Sequence, residues 1–221
     1  MSTLELEKGA GHSHLDRQLW LRWIVATLIG ELAGFTVPAI VGPLAYALDL
    51  PDLVFVIAII LAGAVEGAIL GACQWSVLRR YFPGMRWYQW VSATAGAAVV
   101  AYFALMLPNN IGDLARFDWW VLVAGGIILG LLFLLSMGLF QWLVLRRYLP
   151  GSVHWITASA LAWPLGVLIP VVGIMLVPDN APTPVFIVVG IVCGLLMGVT
   201  VGAITGWMLA ELYRKHLPVR K

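Results

Sequence analysis

The sequence contains QWSVLRRYFPG at residues 74–84 and QWLVLRRYLPG at residues 141–151, 67 residues later. A weaker third copy, GWMLAELYRK, occupies residues 206–215 near the end of the chain. Each copy lies where a long apolar run meets two cationic side chains. Because self-similarity at a regular spacing is the mark of an internal structural repeat, the pattern predicts three related units.

The composition is that of a membrane protein. Hydrophobic residues make up 62% of the 221 residues and charged residues only 11%, whereas a soluble domain has about 25% charged residues. The apolar residues fall in runs of about 20, the length needed to cross a bilayer. Cys73 and Cys193 both lie inside such runs, which predicts small buried side chains without a disulfide.

The apolar runs predict an all-α integral membrane protein with six transmembrane helices. Prolines 38 and 43 are expected to end or kink the first span, and prolines 164 and 170 to bend the fifth. We divide the chain into a cytoplasmic arm (1–19), one transmembrane domain (20–215) and a basic cytoplasmic tail (216–221). The expected spans are 20–40, 53–78, 87–107, 119–145, 155–177 and 185–212.

Each repeat is expected to be a two-helix hairpin, over residues 20–86, 87–153 and 154–215. The first helices of the three hairpins open alike, with WLRWIVAT at 20–27, WYQWVSAT at 87–94 and HWITAS at 154–159. Because each unit holds two spans, all three insert the same way up, as parallel repeats related by an axis along the membrane normal. The sequence therefore predicts a pseudo-threefold bundle.

The positive charges predict the orientation. Only Arg116, of the 13 Lys and Arg residues, falls on the side opposite the termini. Cytoplasmic loops carry the excess of Lys and Arg, so both termini and both Arg-Arg turns are expected in the cytoplasm. The twelve residues on that side are Lys8, Arg17, Arg22, Arg79, Arg80, Arg86, Arg146, Arg147, Arg214, Lys215, Arg220 and Lys221.

The second, fourth and sixth helices carry glycines mostly at intervals of four. Residues four apart share one helix face, and small residues let helix backbones approach closely in a membrane. We therefore expect these three helices to pack together at the centre of the bundle. The alternative is a groove for a flat hydrophobic ligand. The glycines are 63, 67 and 71, then 126, 130 and 138, then 194, 198, 202 and 206.

Gln74 and Gln141 extend this glycine face and are candidate functional residues inside the membrane. A buried amide needs hydrogen-bond partners. Ser92 and Thr94 are expected at the depth of Gln74, and Thr157 and Ser159 at the depth of Gln141. Interhelical hydrogen bonds are the structural interpretation of both glutamines.

Glu31 and Glu66 are the only charged residues deep in the apolar runs. A carboxyl group at mid-bilayer is costly and is by default a candidate functional site. The structural alternative is a neutral acid that is hydrogen-bonded to a neighbour. Phe133 takes the Glu66 position in the second unit, so the repeat itself does not require an acid.

Arginine pairs and tryptophans mark the cytoplasmic interface. Amphipathic rings prefer the headgroup level, and arginine reaches the same level with its long side chain. Binding of anionic lipid headgroups is one interpretation, and simple anchoring is the other. The candidate headgroup contacts are Arg79, Arg80, Arg146, Arg147, Trp75 and Trp142.

Enzyme signatures are missing from the sequence. The four histidines all lie outside the deep parts of the spans, which argues against transmembrane haem ligation and a buried histidine metal site. His12 and His14 fit weak metal binding or a solvated tail. No phosphate-binding glycine loop or nucleophile–base pair is present, and the cations form collars rather than a nucleic-acid surface. We expect no enzyme activity, and the sequence indicates no particular cofactor.

The repeated GxxQWxVLRR block, at residues 71–80 and 138–147, resembles a group of bacterial multi-pass membrane proteins of unassigned function. The resemblance covers residues 20–215 and implies a bacterial cytoplasmic membrane. The third unit departs from the block, with Gly206 in place of the glutamine.

These observations favour a non-enzymatic accessory or scaffold subunit that holds a lipid or another apolar ligand. The alternative is a small ion or solute transporter that uses Glu31 and Glu66. Membrane lipids are the expected partners. The sequence does not distinguish between a membrane-protein partner and a homo-oligomer, and nucleic acid is not expected as a partner.

Overall fold

The computed structural model describes residues 3–108, 114–178 and 180–216, with side chains from residue 17 onward except that of Ala115. The described part contains six α-helices and one short 3-10 helix, Leu114–Arg116. The α-helices are α1 (Thr3–Ala47), α2 (Asp52–Tyr81), α3 (Trp87–Met106), α4 (Trp119–Leu145), α5 (His154–Met175) and α6 (Thr183–His216).

All six helices are long and apolar enough to cross a membrane. The prediction of an all-α, multi-pass membrane protein is therefore confirmed at this level. The fourth helix has the predicted bounds, 119–145, and the third ends one residue early. The first, second and sixth helices extend beyond their predicted spans, and α1 begins at Thr3, so the predicted arm is continuous with the first helix.

The prolines do not end the helices that contain them. Pro38 and Pro43 both lie inside α1, which continues to Ala47. Pro164 and Pro170 likewise lie inside α5. The prediction that the first span ends near residue 40 is wrong. A proline removes one backbone hydrogen bond, but apolar surroundings keep the remaining peptide groups in helical bonds because no water can replace them.

The helices form a closed ring. Each helix packs against its neighbours in sequence, from α1 with α2 through to α5 with α6, and α6 also packs against α1. We call the end that holds the start of α1, the end of α6 and residues 82–86 and 146–153 the terminal end. The opposite end, with residues 48–51, 107–108, 114–118, 176–178 and 180–182, is the loop end.

The predicted packing of α2, α4 and α6 on one another is wrong. A Cβ added to Gly67 of α2 would lie 2.7 Å from the Cβ of Ala98 on α3. A Cβ added to Gly202 of α6 would lie 2.9 Å from the Cα of Ile24 on α1. The glycines therefore bring neighbours in the ring together. The centre of the bundle holds larger side chains and a cavity instead.

The glycine stripe of α4 is only partly used. A Cβ on Gly138 would lie 2.9 Å from the Cα of Ile156 on α5. A Cβ on Gly126 or Gly130, in contrast, would meet nothing within 4 Å. The part of this stripe nearer the loop end thus makes no close helix contact in the described chain.

Large apolar side chains cover the outside of the ring. Leu61, Ile127 and Val188 are about 60% exposed, and many similar side chains share this surface. Such a surface suits lipid, where apolar side chains contact acyl chains. The exterior therefore fits a protein that is embedded in a membrane.

Candidate functional site

Three indole rings meet inside the terminal half of the bundle. Trp23 of α1, Trp90 of α3 and Trp155 of α5 are all fully buried. Their ring centroids are 5.8 to 6.0 Å apart and each pair is edge-to-face, which is a favoured geometry for aromatic pairs. We call these three residues the tryptophan layer.

Each indole N–H of the tryptophan layer has a buried acceptor. Trp90 Nε1 donates to Gln74 Oε1 at 3.1 Å, and Trp155 Nε1 donates to Gln141 Oε1 at 3.2 Å. Trp23 Nε1 donates to the hydroxyl of Thr205 at 2.9 Å. The layer thus buries three large rings without leaving a donor unpaired.

The two glutamines also join helices through their amide nitrogens. Gln74 Nε2 donates to Thr27 Oγ1 at 3.2 Å, and Gln141 Nε2 donates to Thr94 Oγ1 at 3.1 Å and to Gln74 Oε1 at 3.3 Å. Interhelical hydrogen bonds were predicted for both side chains, but the expected partners were wrong. Thr94 bonds to Gln141 rather than to Gln74.

The other expected partners do not bond to the glutamines. Ser92 and Thr157 are exposed. Ser159 is fully buried, but its Oγ has no hydrogen-bond partner among the described residues. Ser159 follows Trp155 by four residues, as Thr94 follows Trp90, but Gly206 stands where a third glutamine would supply an amide. That glycine has no room for one, since a Cβ there would lie 2.8 Å from the Trp23 ring.

A cavity of about 190 Å³ begins one helical turn from the tryptophan layer, toward the loop end. Leu70, which borders it, lies four residues from Gln74 on α2. The wall is almost wholly apolar and takes residues from every helix of the ring. These include Phe35, Leu70, Ala101, Phe133, Trp163 and Met197.

Glu66 lies in the wall of the cavity, where its carboxyl group meets a tyrosine of α3. The hydroxyl of Tyr102 donates to Glu66 Oε2 at 2.5 Å. Gly63 makes room for this tyrosine, because a Cβ there would lie 2.2 Å from the ring. On the other side, a Cβ on Gly34 of α1 would lie 3.0 Å from Glu66 Cγ. Two glycines thus allow the acid to sit between α1 and α3.

Glu31 is buried on α1, near the α1–α6 contact, with 3% of its surface exposed. A Cβ on Gly198 of α6 would lie 3.5 Å from its Cβ. Its Oε1 has no hydrogen-bond partner in the described part of the chain. Gly34, whose added Cβ would lie 3.0 Å from Glu66 Cγ, is three residues along α1 from Glu31. The structure thus groups two carboxyl groups and one phenol.

No described cation balances these acids. The ion pairs found within residues 17–108, 114–178 and 180–216 join Glu211 to Arg214 and Lys215 near the end of α6. The wall of the cavity contains no Lys, Arg or His. Two acids in one apolar interior are costly unless they are neutral or meet a cation.

The predicted headgroup residues are at the terminal end. The Arg79 guanidinium lies 5.2 Å from the centroid of the Trp75 ring, and that of Arg146 lies 5.1 Å from Trp142. Arg80 and Arg147 are exposed. The Arg79–Trp75 and Arg146–Trp142 contacts are cation–π pairs, which hold each arginine against its own helix.

A groove of about 330 Å³ runs between α1 and α2 near the same end. Arg22 and Arg80 border it, one from each helix, and Val25, Ile29 and Val77 supply apolar walls. The groove therefore combines two cations with an apolar trough.

Sequence reasoning missed Tyr102, Trp163 and Arg22 as site residues. One signal was available for Tyr102, because it is a polar aromatic residue well inside the third apolar run. Trp163 and Arg22 carry no local signal that separates them from other interfacial or buried side chains. Their roles depend on which helices meet.

The structure indicates no metal centre in the side chains that it describes. No group of three or more His, Cys, Asp or Glu residues there could hold a metal ion. His12 and His14 lie outside the described side chains. Both cysteines are free thiols.

Comparison of the chain with protein families, with curated proteins and with solved structures finds no match.

Proposed function

We propose that this protein is a non-enzymatic membrane subunit that holds a small apolar ligand in its central cavity. The supporting observation is the wall itself, in which all six helices contribute mainly aliphatic and aromatic side chains. Ligand sites are concave, mostly apolar and equipped with a few polar groups that orient the ligand. Here those groups are Glu66, Tyr102 and Ser136.

The volume limits the size of the ligand. A cavity of about 150 Å³ binds benzene, and this cavity measures about 190 Å³. It therefore suits one substituted ring or a short section of a lipid chain. An accessory role agrees with the polar groups of the wall. The Glu66 carboxyl group and the Tyr102 phenol are hydrogen-bonded to each other and are not arranged around a nucleophile.

A small ion or solute transporter that uses Glu31 and Glu66 is the alternative. The two grouped acids favour it, because intramembrane carboxyl groups often mark ion or proton paths. The tryptophan layer argues against it, because three fully buried rings stand between the cavity and the terminal end. Transport would require these rings to separate.

We also propose that the ring consists of three parallel two-helix repeats with pseudo-threefold symmetry and cytoplasmic termini. Support comes from the recurring sequence blocks and from the tryptophan layer, which takes one ring from the first helix of each unit. The matched Trp75–Arg79 and Trp142–Arg146 pairs agree with the same arrangement.

Anionic lipid is a second proposed ligand, at the terminal end. The groove between α1 and α2 would place a phosphate between Arg22 and Arg80 and an acyl chain along Val25 and Ile29. Phosphate groups favour sites where more than one guanidinium can donate hydrogen bonds.

A cavity-filling variant tests the main proposal. Ala101 lines the cavity, so Ala101→Phe should occupy part of it and expel an apolar ligand. The control is Ala124→Phe, at an exposed position on α4. Proteins purified in mild detergent are compared by mass spectrometry of everything that remains bound. A compound that is present in wild type and the control but lost from Ala101→Phe supports the cavity. Equal retention in all three contradicts the proposal.

A further inference from the structure

We propose that the ligand of the central cavity carries a positive charge: a small aromatic or alkyl amine that places its ammonium group on Glu66 and its apolar body in the cavity. This inference rests on the proposed function, because it names the chemical class of ligand for the same site. It adds that the site selects charge as well as shape.

The grouping of the acids carries the argument. Glu66 stands in the wall of the cavity, and Glu31 lies on the neighbouring helix α1, three residues from the glycine that faces Glu66. Neither acid forms an ion pair with any described residue. An apolar interior that contains two acids and no cation favours a ligand that brings a cation, because opposite charges attract strongly where water is excluded.

The hydrogen-bond pattern leaves room for such a ligand. Tyr102 occupies Oε2 of Glu66, and the structure gives Oε1 of Glu66 no bond to a described residue. Glu31 is 97% buried, given its 3% exposure, and its Oε1 also lacks a partner. An ammonium group has three donors and no acceptor. A bond from the ammonium group to Oε1 of Glu66, which stands in the cavity wall, would use an acceptor to which no described residue donates.

The rest of the wall sets the shape of the ligand. Phe133 and Trp163 lie across the cavity from α2, on α4 and α5, and offer aromatic surfaces to the ligand body. Aromatic faces also attract cations. Acidic or zwitterionic molecules are disfavoured, because a carboxylate would be placed beside two acids with no balancing cation.

Benzylamine and benzyl alcohol are matched probes. They have nearly the same shape, and only the amine is cationic at neutral pH. Binding of each radiolabelled probe is measured by equilibrium dialysis, with the full chain in nanodiscs of phosphatidylcholine and with empty nanodiscs as the blank. We expect wild type to bind benzylamine at least about tenfold more tightly than benzyl alcohol, a difference of about 1.4 kcal/mol.

Two substitutions separate charge from fold. Glu66→Gln keeps the side-chain shape and should bring the two affinities to the same value, with the affinity for benzyl alcohol little changed. Glu211→Gln removes a partly exposed carboxylate outside the cavity, which is paired with Arg214 and Lys215, and should leave the preference intact. If Glu66→Gln does not fold, equal affinities in wild type still overturn the inference, and so does an amine preference that persists in Ala101→Phe, because it cannot come from the cavity.

The outcomes distinguish the two proposals. Equal affinities in wild type, or a preference for the amine that survives in Glu66→Gln, overturn the inference about charge. In that case, binding of benzyl alcohol that is lost in Ala101→Phe keeps the proposed apolar site. If neither probe binds to wild type, both the amine inference and the small-ligand site are wrong.

Discussion

Gly67 and Gly126 offer a direct test of the ring, because both belong to glycine stripes in the sequence but their surroundings differ. Both lie in glycine stripes of even-numbered helices. A Cβ on Gly67 would lie 2.7 Å from the Cβ of Ala98, while one on Gly126 would meet nothing within 4 Å. We therefore expect Gly67→Ala to destabilise the bundle relative to Gly126→Ala.

The size of the destabilisation expected for Gly67→Ala follows from the atoms that Gly67 faces, because these atoms are fixed in position. The 2.7 Å approach is 0.7 Å short of the 3.4 Å at which ordinary contact begins. The other near atoms are the carbonyl oxygen of Thr94, at 2.9 Å, and the Cα of Ala95, at 3.0 Å. None can rotate away, so α2 and α3 must separate. Overpacking of this kind costs about 1–3 kcal/mol.

The comparison removes the effect of helix propensity. Alanine is favoured over glycine in a helix by about 1 kcal/mol, and both variants receive this benefit. The difference between their free energies of unfolding should therefore be about 1–3 kcal/mol, with Gly67→Ala the less stable. Gly202→Ala should resemble Gly67→Ala, because a Cβ there would lie 2.9 Å from the Cα of Ile24.

The assay is reversible unfolding in mixed micelles, in which SDS is titrated and the loss of helix is followed by circular dichroism. Equal stability of the Gly67 and Gly126 variants would show that α2 does not pack closely on α3. Strong destabilisation by Gly126→Ala would instead restore the model in which the even-numbered helices meet at the centre.

Three further predictions concern buried hydrogen-bonding side chains, the orientation of the chain in the membrane and lipid binding. Thr94→Val should lower the free energy of unfolding by about 0.6 kcal/mol or more, because it removes an interhelical hydrogen bond. Ser159→Ala should be neutral or stabilising, because the Ser159 hydroxyl has no partner among the described residues. The same SDS titration measures both variants, and a larger loss of stability in Ser159→Ala than in Thr94→Val would contradict this prediction. In a variant without native cysteines, Asn180→Cys should react with an impermeant maleimide applied to intact cells, and Gly84→Cys should not. The reverse labelling pattern would show that the predicted orientation is wrong. Arg80→Gln should lower retention of phosphatidylglycerol in native mass spectrometry relative to wild type, and unchanged retention would exclude the groove as a headgroup site.

The sequence alone determined the number of membrane-length helices and placed most of their ends well. Hydropathy and length are local properties, so they can be read along one segment without knowledge of its neighbours. The fourth helix illustrates this, since its apolar run and its helix have the same bounds. Glutamines 74 and 141 were also found in this way, because an amide within an apolar run requires partners wherever the helix is placed.

Only the tertiary structure decided which helices meet. A stripe of glycines indicates that another backbone approaches, but it does not say which one. For this reason the packing of the even-numbered helices was mispredicted, and Thr94 was assigned to Gln74 rather than to Gln141. The hydrogen bond between Tyr102 and Glu66 depends on the order and rotation of the helices around the ring, and so does the cavity beside it. These properties arise from contacts between distant segments, which no single segment encodes.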